Sequence, residues 1–200
     1  MTAPPVVLAS ASAARQRLLA EAGVPVTTDP PRVDEDSVKS AFRADGAGAD
    51  DAAEALAEMK ARRVAGRHPG ALVIGADQVL TCDGRWFDKP QDRAEARAHL
   101  QALSGRRHQL VVSAVVVRDD TRLWHQTDRA DLAVRPLSED FIESYLDAAG
   151  PAVLESVGAY QLEGRGAQLF TEVRGDYFTV LGLPLLPLLG FLREHGVVAT

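Results

Sequence analysis

Runs of apolar and β-branched residues predict strands at several places along the chain. These runs are residues 6–8, 71–74, 110–117, 123–134 and 168–173. The fourth run alternates well enough to return beside the third as an antiparallel strand. The second run stops at Gly75 and Ala76, and Asp83 with Gly84 supplies a turn, so residues 71–90 are expected to form a hairpin.

Apolar residues spaced by three and four positions predict helices between these strands. The helical stretches are residues 12–23, 50–67, 93–103, 138–150 and 182–196. Ser12 and Ser138 fit N-caps. Residues 27–36 are rich in proline and acidic side chains, which is typical of a solvated loop. We therefore expect one α/β domain over residues 1–200.

Composition narrows the classes of partner. The formal charge of −6 and the pI near 5.4 argue against a general affinity for nucleic acid polymers or anionic membranes, which need a basic surface. Cys82 is the only cysteine, so we expect no internal disulfide and a reducing compartment, the cytoplasm. The five histidines lack metal-site spacing, and neither a signal peptide nor a membrane-length apolar run is found.

Asp77 is the first candidate for chemistry. It follows the predicted buried strand directly, where active sites of α/β proteins are found, and Lys89 closes the same hairpin. The alternative is that Asp77 only caps a turn, since turns favour aspartate.

The turn after the first strand is the second candidate. Ser10, Ser12 and Arg15 surround the start of a predicted helix, where backbone amides and a guanidinium suit a phosphate. An ordinary serine-capped helix with solvated Arg15 and Arg17 is the alternative.

Two further charged residues have two interpretations each. Glu35 lies in the acidic run, where carboxylates can bind a hard cation such as Mg²⁺ or simply remain solvated. Lys60 borders the apolar face of its helix, where it is by default a surface lysine and otherwise a second cation for a polyphosphate.

Six fragments, in their order along the chain, carry a resemblance to a known family. They read LASASAAR, VIGADQV, FDKP, LSGRRH, GAYQLEGRGAQLF and GDYFTVLGLPL. This series resembles the Maf family of nucleoside triphosphate pyrophosphatases, also called septum-formation inhibitors. The resemblance implies a Maf/Ham1-like fold, with an elongated mixed central sheet flanked by helices and two lobes around a deep cleft. It also implies hydrolysis of a nucleoside triphosphate to the monophosphate and pyrophosphate, dependent on Mg²⁺ or Mn²⁺, and a homodimer.

The resemblance assigns roles to the residues already singled out. Asp77 becomes the general base or the positioner of a metal-bound water, and it shares the metal with Glu35. The substrate phosphates fall to four residues: Ser10, Arg15, Lys60 and Lys89.

The chain departs from the commonest family pattern at several positions, and these departures indicate which nucleotide base the site prefers. The thymidine and uridine branch usually has SPRR, GADT and a glutamine where this chain has Ala13-Ala14-Arg15, Gln78 and Glu163. Gln78 and Glu163 resemble the 7-methyl-GTP branch instead, whereas Ala13 and Ala14 match neither branch. A carboxylate at Glu163 can accept hydrogen bonds from both N1–H and N2–H of guanine, whereas uracil and thymine present carbonyl oxygens that repel it.

The sequence thus predicts a pyrophosphatase for a guanine-type nucleotide such as 7-methyl-GTP. Three alternatives stay open: a pyrophosphatase preferring dTTP or UTP, a nucleotide-binding regulator of cell division with little catalysis, and a phosphatase that releases orthophosphate. Ser156 stands where the family usually has lysine, which bears on the second alternative.

Overall fold

The structure, a computed structural model, describes residues 3–199 and confirms the α/β class. The strands are β1 (Val6–Ala9), β2 (Val26–Thr28), β3 (Leu72–Cys82), β4 (Arg85–Phe87), β5 (Arg107–Arg118), β6 (Thr121–Val134) and β7 (Phe170–Arg174). The helices are α1 (Ala13–Glu21), α2 (Glu35–Ala44), α3 (Ala49–Ala65), α4 (Arg93–Leu103), α5 (Glu139–Ala149), α6 (Tyr177–Val180) and α7 (Leu185–Glu194). Short 3₁₀ segments cover Gly150–Glu155, Val157–Ala159 and Arg165–Leu169.

The strands form a mixed sheet in the order β2-β1-β3-β5-β6-β7, with β4 paired to β3. β1 runs parallel to both β2 and β3, whereas β7 is antiparallel to β6. The predicted turn at Asp83 and Gly84 is confirmed, since both residues have positive φ and join the antiparallel pair β3 and β4.

The chain divides into two compact units. Within the described residues, the first unit comprises residues 3–78, 112–128 and 177–199, and the second comprises residues 79–111 and 129–176. β3, β5 and β6 each contribute residues to both units.

In the first unit, small residues let α3 lie directly against β3. Ala53, Ala57 and Ala61 recur every four residues on α3 and are fully buried. Opposite them lies Gly75, where a β-carbon would stand 2.0 Å from the carbonyl oxygen of Ala57. The helix backbone therefore approaches the strand more closely than any side chain on residue 75 would allow.

In the second unit, α4 and α5 supply the apolar core. Leu100 and Leu103 of α4 and Ile142 and Leu146 of α5 are all fully buried. The helices also share ion pairs at their exposed edge, where Arg97 contacts carboxylates of α5.

Several predicted boundaries are confirmed. Ser12 and Ser138 cap α1 and α5, since their side chains accept hydrogen bonds from backbone N–H groups of the first helical turn. α4 spans the predicted residues, and β7 starts two residues later than expected. No helix within residues 3–199 has the length and apolar character needed to cross a membrane.

The prediction that the strand ends before Asp77 is wrong. β3 continues to Cys82, so Asp77 lies in the middle of an eleven-residue strand. Gly75, Ala76 and Asp77 interrupt the apolar pattern, but the chain does not reverse there. The interpretation of Asp77 as a turn cap is therefore wrong as well.

The prediction of a solvated loop over residues 27–36 is wrong at both ends. Val26–Thr28 forms β2, parallel to β1, and α2 begins at Glu35. Asp34 caps α2 by accepting a hydrogen bond from the backbone N–H of Ser37 at 3.1 Å. The acidic residues therefore lie at the positive end of a helix.

Candidate active site

Asp77, Lys60 and Glu35 meet in the first unit. The Lys60 ammonium donates to Asp77 Oδ1 at 2.6 Å and lies 2.8 Å from Glu35 Oε1. Lys60 is only 5% exposed and Asp77 only 3%. The expectation that Lys60 is by default a surface lysine is therefore wrong, because α3 turns it inward toward β3.

The close packing of α3 on β3 makes this contact possible. Lys60 precedes Ala61, whose backbone nitrogen would stand 2.7 Å from a β-carbon on Gly75. Asp77 lies two residues beyond Gly75 on the same strand. A glycine inside the strand thus brings the lysine ammonium and the aspartate carboxylate to hydrogen-bonding distance.

Glu35 reaches the pair from the first turn of α2. Burial raises the pKa of its carboxyl group, but the charge and hydrogen bond of Lys60, with the charges of Lys39 and Arg15, outweigh burial and hold the pKa below its usual value. Glu35 is therefore ionised at neutral pH. Lys39, one helical turn along α2, is itself buried and joins this set of charges.

Arg15 is buried and close enough to Asp77 and Glu35 to feel their charges, so the alternative of a solvated Arg15 is wrong. Its Nε donates to the carbonyl oxygen of Gly182 at 2.7 Å, and its Nη1 donates to that of Ala76 at 2.9 Å. Burial lowers its pKa, while the charges of Asp77 and Glu35 oppose that shift. Arg15 thus fixes the backbone immediately before Asp77.

Ser10 completes this corner of the site. Its hydroxyl oxygen accepts from the backbone N–H of Ser12 at 3.1 Å and from Arg15 Nη1 at 3.4 Å. Ser10 is buried, and it links the end of β1 to the start of α1.

One oxygen of this cluster, Asp77 Oδ2, is buried and makes no hydrogen bond to any described residue. A buried carboxylate oxygen without a partner carries a desolvation cost, and a ligand that donates a hydrogen bond to it would offset that cost. The charged side chains of this cluster carry three positive charges, on Arg15, Lys39 and Lys60, and two negative ones, on Glu35 and Asp77. The net charge of one positive unit suits an anionic ligand.

The two candidate specificity residues of the first unit flank this cluster. Gln78 follows Asp77, and its side-chain nitrogen donates to the carbonyl oxygen of Val180 at 3.1 Å and, more weakly, to that of Thr179 at 3.4 Å. Ala14 precedes Arg15 in the first turn of α1 and is half-buried. Gln78 therefore joins β3 to α6.

The remaining candidates belong to the second unit. Lys89 follows β4 and is exposed. Glu163 is exposed in a turn that the backbone N–H of Gly164 closes by donating to the carbonyl oxygen of Gln161 at 3.2 Å. Their roles stay predictions.

Comparison with known proteins identifies the family. The family model described as Maf-like protein matches residues 5–195. The chain belongs to the Maf family. A Maf relative from Paramagnetospirillum magneticum, named nucleoside triphosphate pyrophosphatase, is 57% identical over 95% of this chain and 98% of its own length.

Further relatives carry two names. A Rhodospirillum rubrum protein named nucleoside triphosphate pyrophosphatase is 53% identical over 98% of this Maf chain and 96% of its own. A Rhizobium etli protein named 7-methyl-GTP pyrophosphatase is 48% identical over 98% of each chain. The solved structure of a HAM1 protein from Coxiella burnetii aligns with 66% of this chain and 73% of its own, at 18% identity and a TM-score of 0.42.

Sequence reasoning missed Lys39, Gly75 and the two carbonyl groups that hold Arg15. Lys39 follows Glu35 by four residues, a spacing that brings two charged side chains together on a helix. Because no helix is predicted at α2 from the sequence, this spacing carries no signal there. A glycine after an apolar run predicts the end of a strand, but a glycine inside a strand also signals a close approach of another backbone, which is the role of Gly75.

Proposed function

We propose that this Maf chain is an enzyme that hydrolyses a nucleoside triphosphate to the monophosphate and pyrophosphate. The observation that carries the proposal is Asp77 Oδ2, a buried carboxylate oxygen without a hydrogen-bond partner among the described residues, beside the ammonium of Lys60. The relatives at 57% and 53% identity that are named nucleoside triphosphate pyrophosphatase support the same activity.

We propose Asp77 as the catalytic residue. Its Oδ2 can accept the proton of a water that attacks a phosphorus atom of the α–β phosphoanhydride, whose bond then breaks and releases pyrophosphate. Lys60 holds Oδ1, so the carboxylate cannot rotate away from the water. Arg15 adds a second restraint, because its bond to the carbonyl oxygen of Ala76 fixes the residue before Asp77.

The residues fit a divalent cation. Asp77 and Glu35 both contact the Lys60 ammonium, which takes Oδ1 and Oε1, while Asp77 Oδ2 has no partner among the described residues and is the oxygen left for a cation. Oxygen ligands are those that Mg²⁺ and Mn²⁺ prefer. When bound, such an ion neutralises charge on the polyphosphate oxygens. We therefore propose Asp77 and Glu35 as its protein ligands.

We propose that the cationic side chains act on the substrate phosphates, Lys60 by contact and Arg15 through its charge. An ammonium has three hydrogens, and Lys60 uses two for Asp77 and Glu35, so the third can donate to a phosphate oxygen. Arg15 donates through Nε and Nη1 to backbone carbonyls, so we assign it a charge contribution rather than a two-pronged phosphate contact. We propose Ser10 and Lys89 as further phosphate contacts.

We propose a guanine-type base, such as that of 7-methyl-GTP. Glu163 can accept from two donors on the guanine edge, and the relative named 7-methyl-GTP pyrophosphatase supports this choice. Gln78 and Ala14 are the other proposed specificity residues. The parent should hydrolyse 7-methyl-GTP faster than UTP, dTTP or CTP, and a preference for UTP or dTTP would contradict the role of Glu163.

The proposal extends to the state of the protein in the cell. The family resemblance supports a homodimer, which sedimentation of the purified chain would detect. The single buried cysteine, Cys82, fits the cytoplasm as a reducing compartment.

The released anion tests the activity. Purified protein with Mg²⁺ or Mn²⁺ and a panel of nucleoside triphosphates should release pyrophosphate and the monophosphate. Orthophosphate with the diphosphate would identify a terminal phosphatase instead. Binding of triphosphates without release of either anion would favour the regulatory protein of cell division.

A further inference from the structure

We infer that His108 and Tyr160 are positioning residues that hold the segment carrying Glu163, and that through it they set the choice of base. The inference deepens the proposed function and rests on it. All of its contacts lie within the second unit.

The inference starts from a buried hydrogen bond that the proposed reaction does not use. His108 Nε2 of β5 and the hydroxyl oxygen of Tyr160 are 2.7 Å apart, and both residues are buried. Burial lowers the pKa of His108 to about 4, with the charge of Asp131 opposing the shift, so the imidazole is neutral at pH 7. A neutral buried pair of this kind orients side chains without adding charge.

Aromatic packing adds to the hold on Tyr160. Its ring lies edge-on to Phe170, at a centroid distance of 4.8 Å, and His108 packs against both rings. Phe170 is the first residue of β7. Tyr160 is thus clamped between two strands, β5 and β7.

The backbone that leads into Tyr160 adopts an unfavourable conformation. Gly158 has φ of 75°, and a β-carbon there would stand 2.6 Å from Leu80 Cδ1. Ala159 has φ of 62°, which a residue with a side chain rarely adopts. The hydroxyl of Tyr145 donates to the carbonyl oxygen of Ala159 at 3.2 Å and so holds this conformation in place. Such conformations persist only where the surroundings enforce them.

The anchored backbone determines where Glu163 stands. Glu163 lies in the turn from Gln161 to Gly164, which begins at the residue after Tyr160. Behind that turn, Gly166 packs so closely on Gln161 that a β-carbon would stand 2.4 Å from the Gln161 carbonyl oxygen. Only two residues, Gln161 and Leu162, lie between Tyr160 and Glu163, so a shift of the Tyr160 ring moves the Glu163 carboxylate.

The test combines exchange with kinetics on the full-length chain. Tyr160→Phe removes one hydroxyl and keeps the ring. We expect faster amide hydrogen exchange in residues 161–166, and a fall of about three- to tenfold in the ratio of kcat/KM for 7-methyl-GTP to that for UTP, the range expected for one lost hydrogen bond. The fall should lie in KM for 7-methyl-GTP, with kcat little changed.

Companion variants separate positioning from general destabilisation. His108→Leu should behave like Tyr160→Phe, and His108→Gln, which keeps a polar nitrogen near the Nε2 position, should recover part of the ratio. Ser113→Ala is the matched control, because Ser113 is fully buried and its hydroxyl lies 2.5 Å from that of Thr127 in the first unit. It should leave the ratio unchanged.

A double-mutant cycle decides whether the effect passes through Glu163. Adding Tyr160→Phe to Glu163→Gln should leave the ratio where Glu163→Gln alone puts it. A further fall, or unchanged exchange in residues 161–166 of Tyr160→Phe, would overturn the inference. If Glu163→Gln alone leaves the ratio unchanged, Glu163 does not choose the base, and both the proposed base contact and this inference are wrong. Faster exchange of residues 161–166 in Tyr160→Phe would then show that Tyr160 does hold the segment and that the base contact is the step that failed.

Discussion

Replacement of His108 offers a quantitative test of the buried imidazole. The pKa of His108 is about 4 in the folded chain, mainly through burial, against a usual value of 6.5. Between these pH values the unfolded chain binds one more proton at this residue than the folded chain. The free energy of unfolding therefore rises with pH across this window. The contribution of His108 to the free energy of unfolding is fully present above pH 6.5 and is lost as the pH falls to 4.

The size of the effect follows from the two pKa values. Their difference of about 2.5 units corresponds to about 3 kcal/mol, at 1.36 kcal/mol per unit. This is a large share of the stability of a protein of this size. His108→Gln removes the titration while keeping a polar side chain.

Urea unfolding, followed by circular dichroism at pH values from 4 to 7.5, measures the effect. The difference in unfolding free energy between parent and His108→Gln should change by about 3 kcal/mol over this range, since other titrating groups are common to both. Ser113→Ala, which replaces a buried hydroxyl and removes no titrating group, is the control and should keep the pH dependence of the parent. Parallel curves for parent and His108→Gln would refute the account of a buried neutral imidazole.

Two further predictions concern the packing and charges of the first unit. Gly75→Ala should destabilise the chain by about 3 kcal/mol in urea unfolding and lower turnover, because its β-carbon would stand 2.0 Å from an α3 carbonyl oxygen. Gly66→Ala is the control and should do neither, because no atom of the described residues that pack around Gly66 lies within 4 Å of a β-carbon there and its φ is −59°. Lys60→Met should abolish pyrophosphate release and lower the free energy of unfolding by about 3 kcal/mol, because Asp77 and Glu35 lose the buried ammonium that pairs with them. An unfolding free energy equal to that of the parent would show that these ion pairs do not stabilise the fold.

Local signals predicted much of the secondary structure. α4 was predicted at Arg93–Leu103 because its apolar spacing and the Ser104-Gly105 stop are all contained in one short stretch. Ser12 and Ser138 were predicted as caps for the same reason, since a cap and its partner N–H lie within three residues.

The length of β3 could not be predicted from local pattern. Gly75, Ala76 and Asp77 interrupt an apolar run and read as the end of a strand. The structure gives each break a tertiary reason: Gly75 makes room for α3, and Asp77 meets Lys60. Neither reason is visible until a helix more than ten residues earlier is packed on the strand.

The candidate site was predicted in part. Ser10, Arg15, Glu35, Lys60 and Asp77 were singled out from the sequence, and the structure brings all five together in the first unit. The burial of Lys60 was missed, because its partners lie 25 residues before it and 17 after it. Lys39 was missed because Pro30 and Pro31 predict a loop, and α2 begins only four residues after them.

Pyrophosphate release by Asp77→Asn tests the central claim most directly. The amide keeps the shape of the side chain but is a poor proton acceptor. The parent with Mg²⁺ or Mn²⁺ should release pyrophosphate from a nucleoside triphosphate, and Asp77→Asn should release it at least a hundredfold more slowly, about the factor that general base catalysis contributes, with the circular dichroism spectrum of a folded chain. An unchanged rate in folded Asp77→Asn would contradict the account.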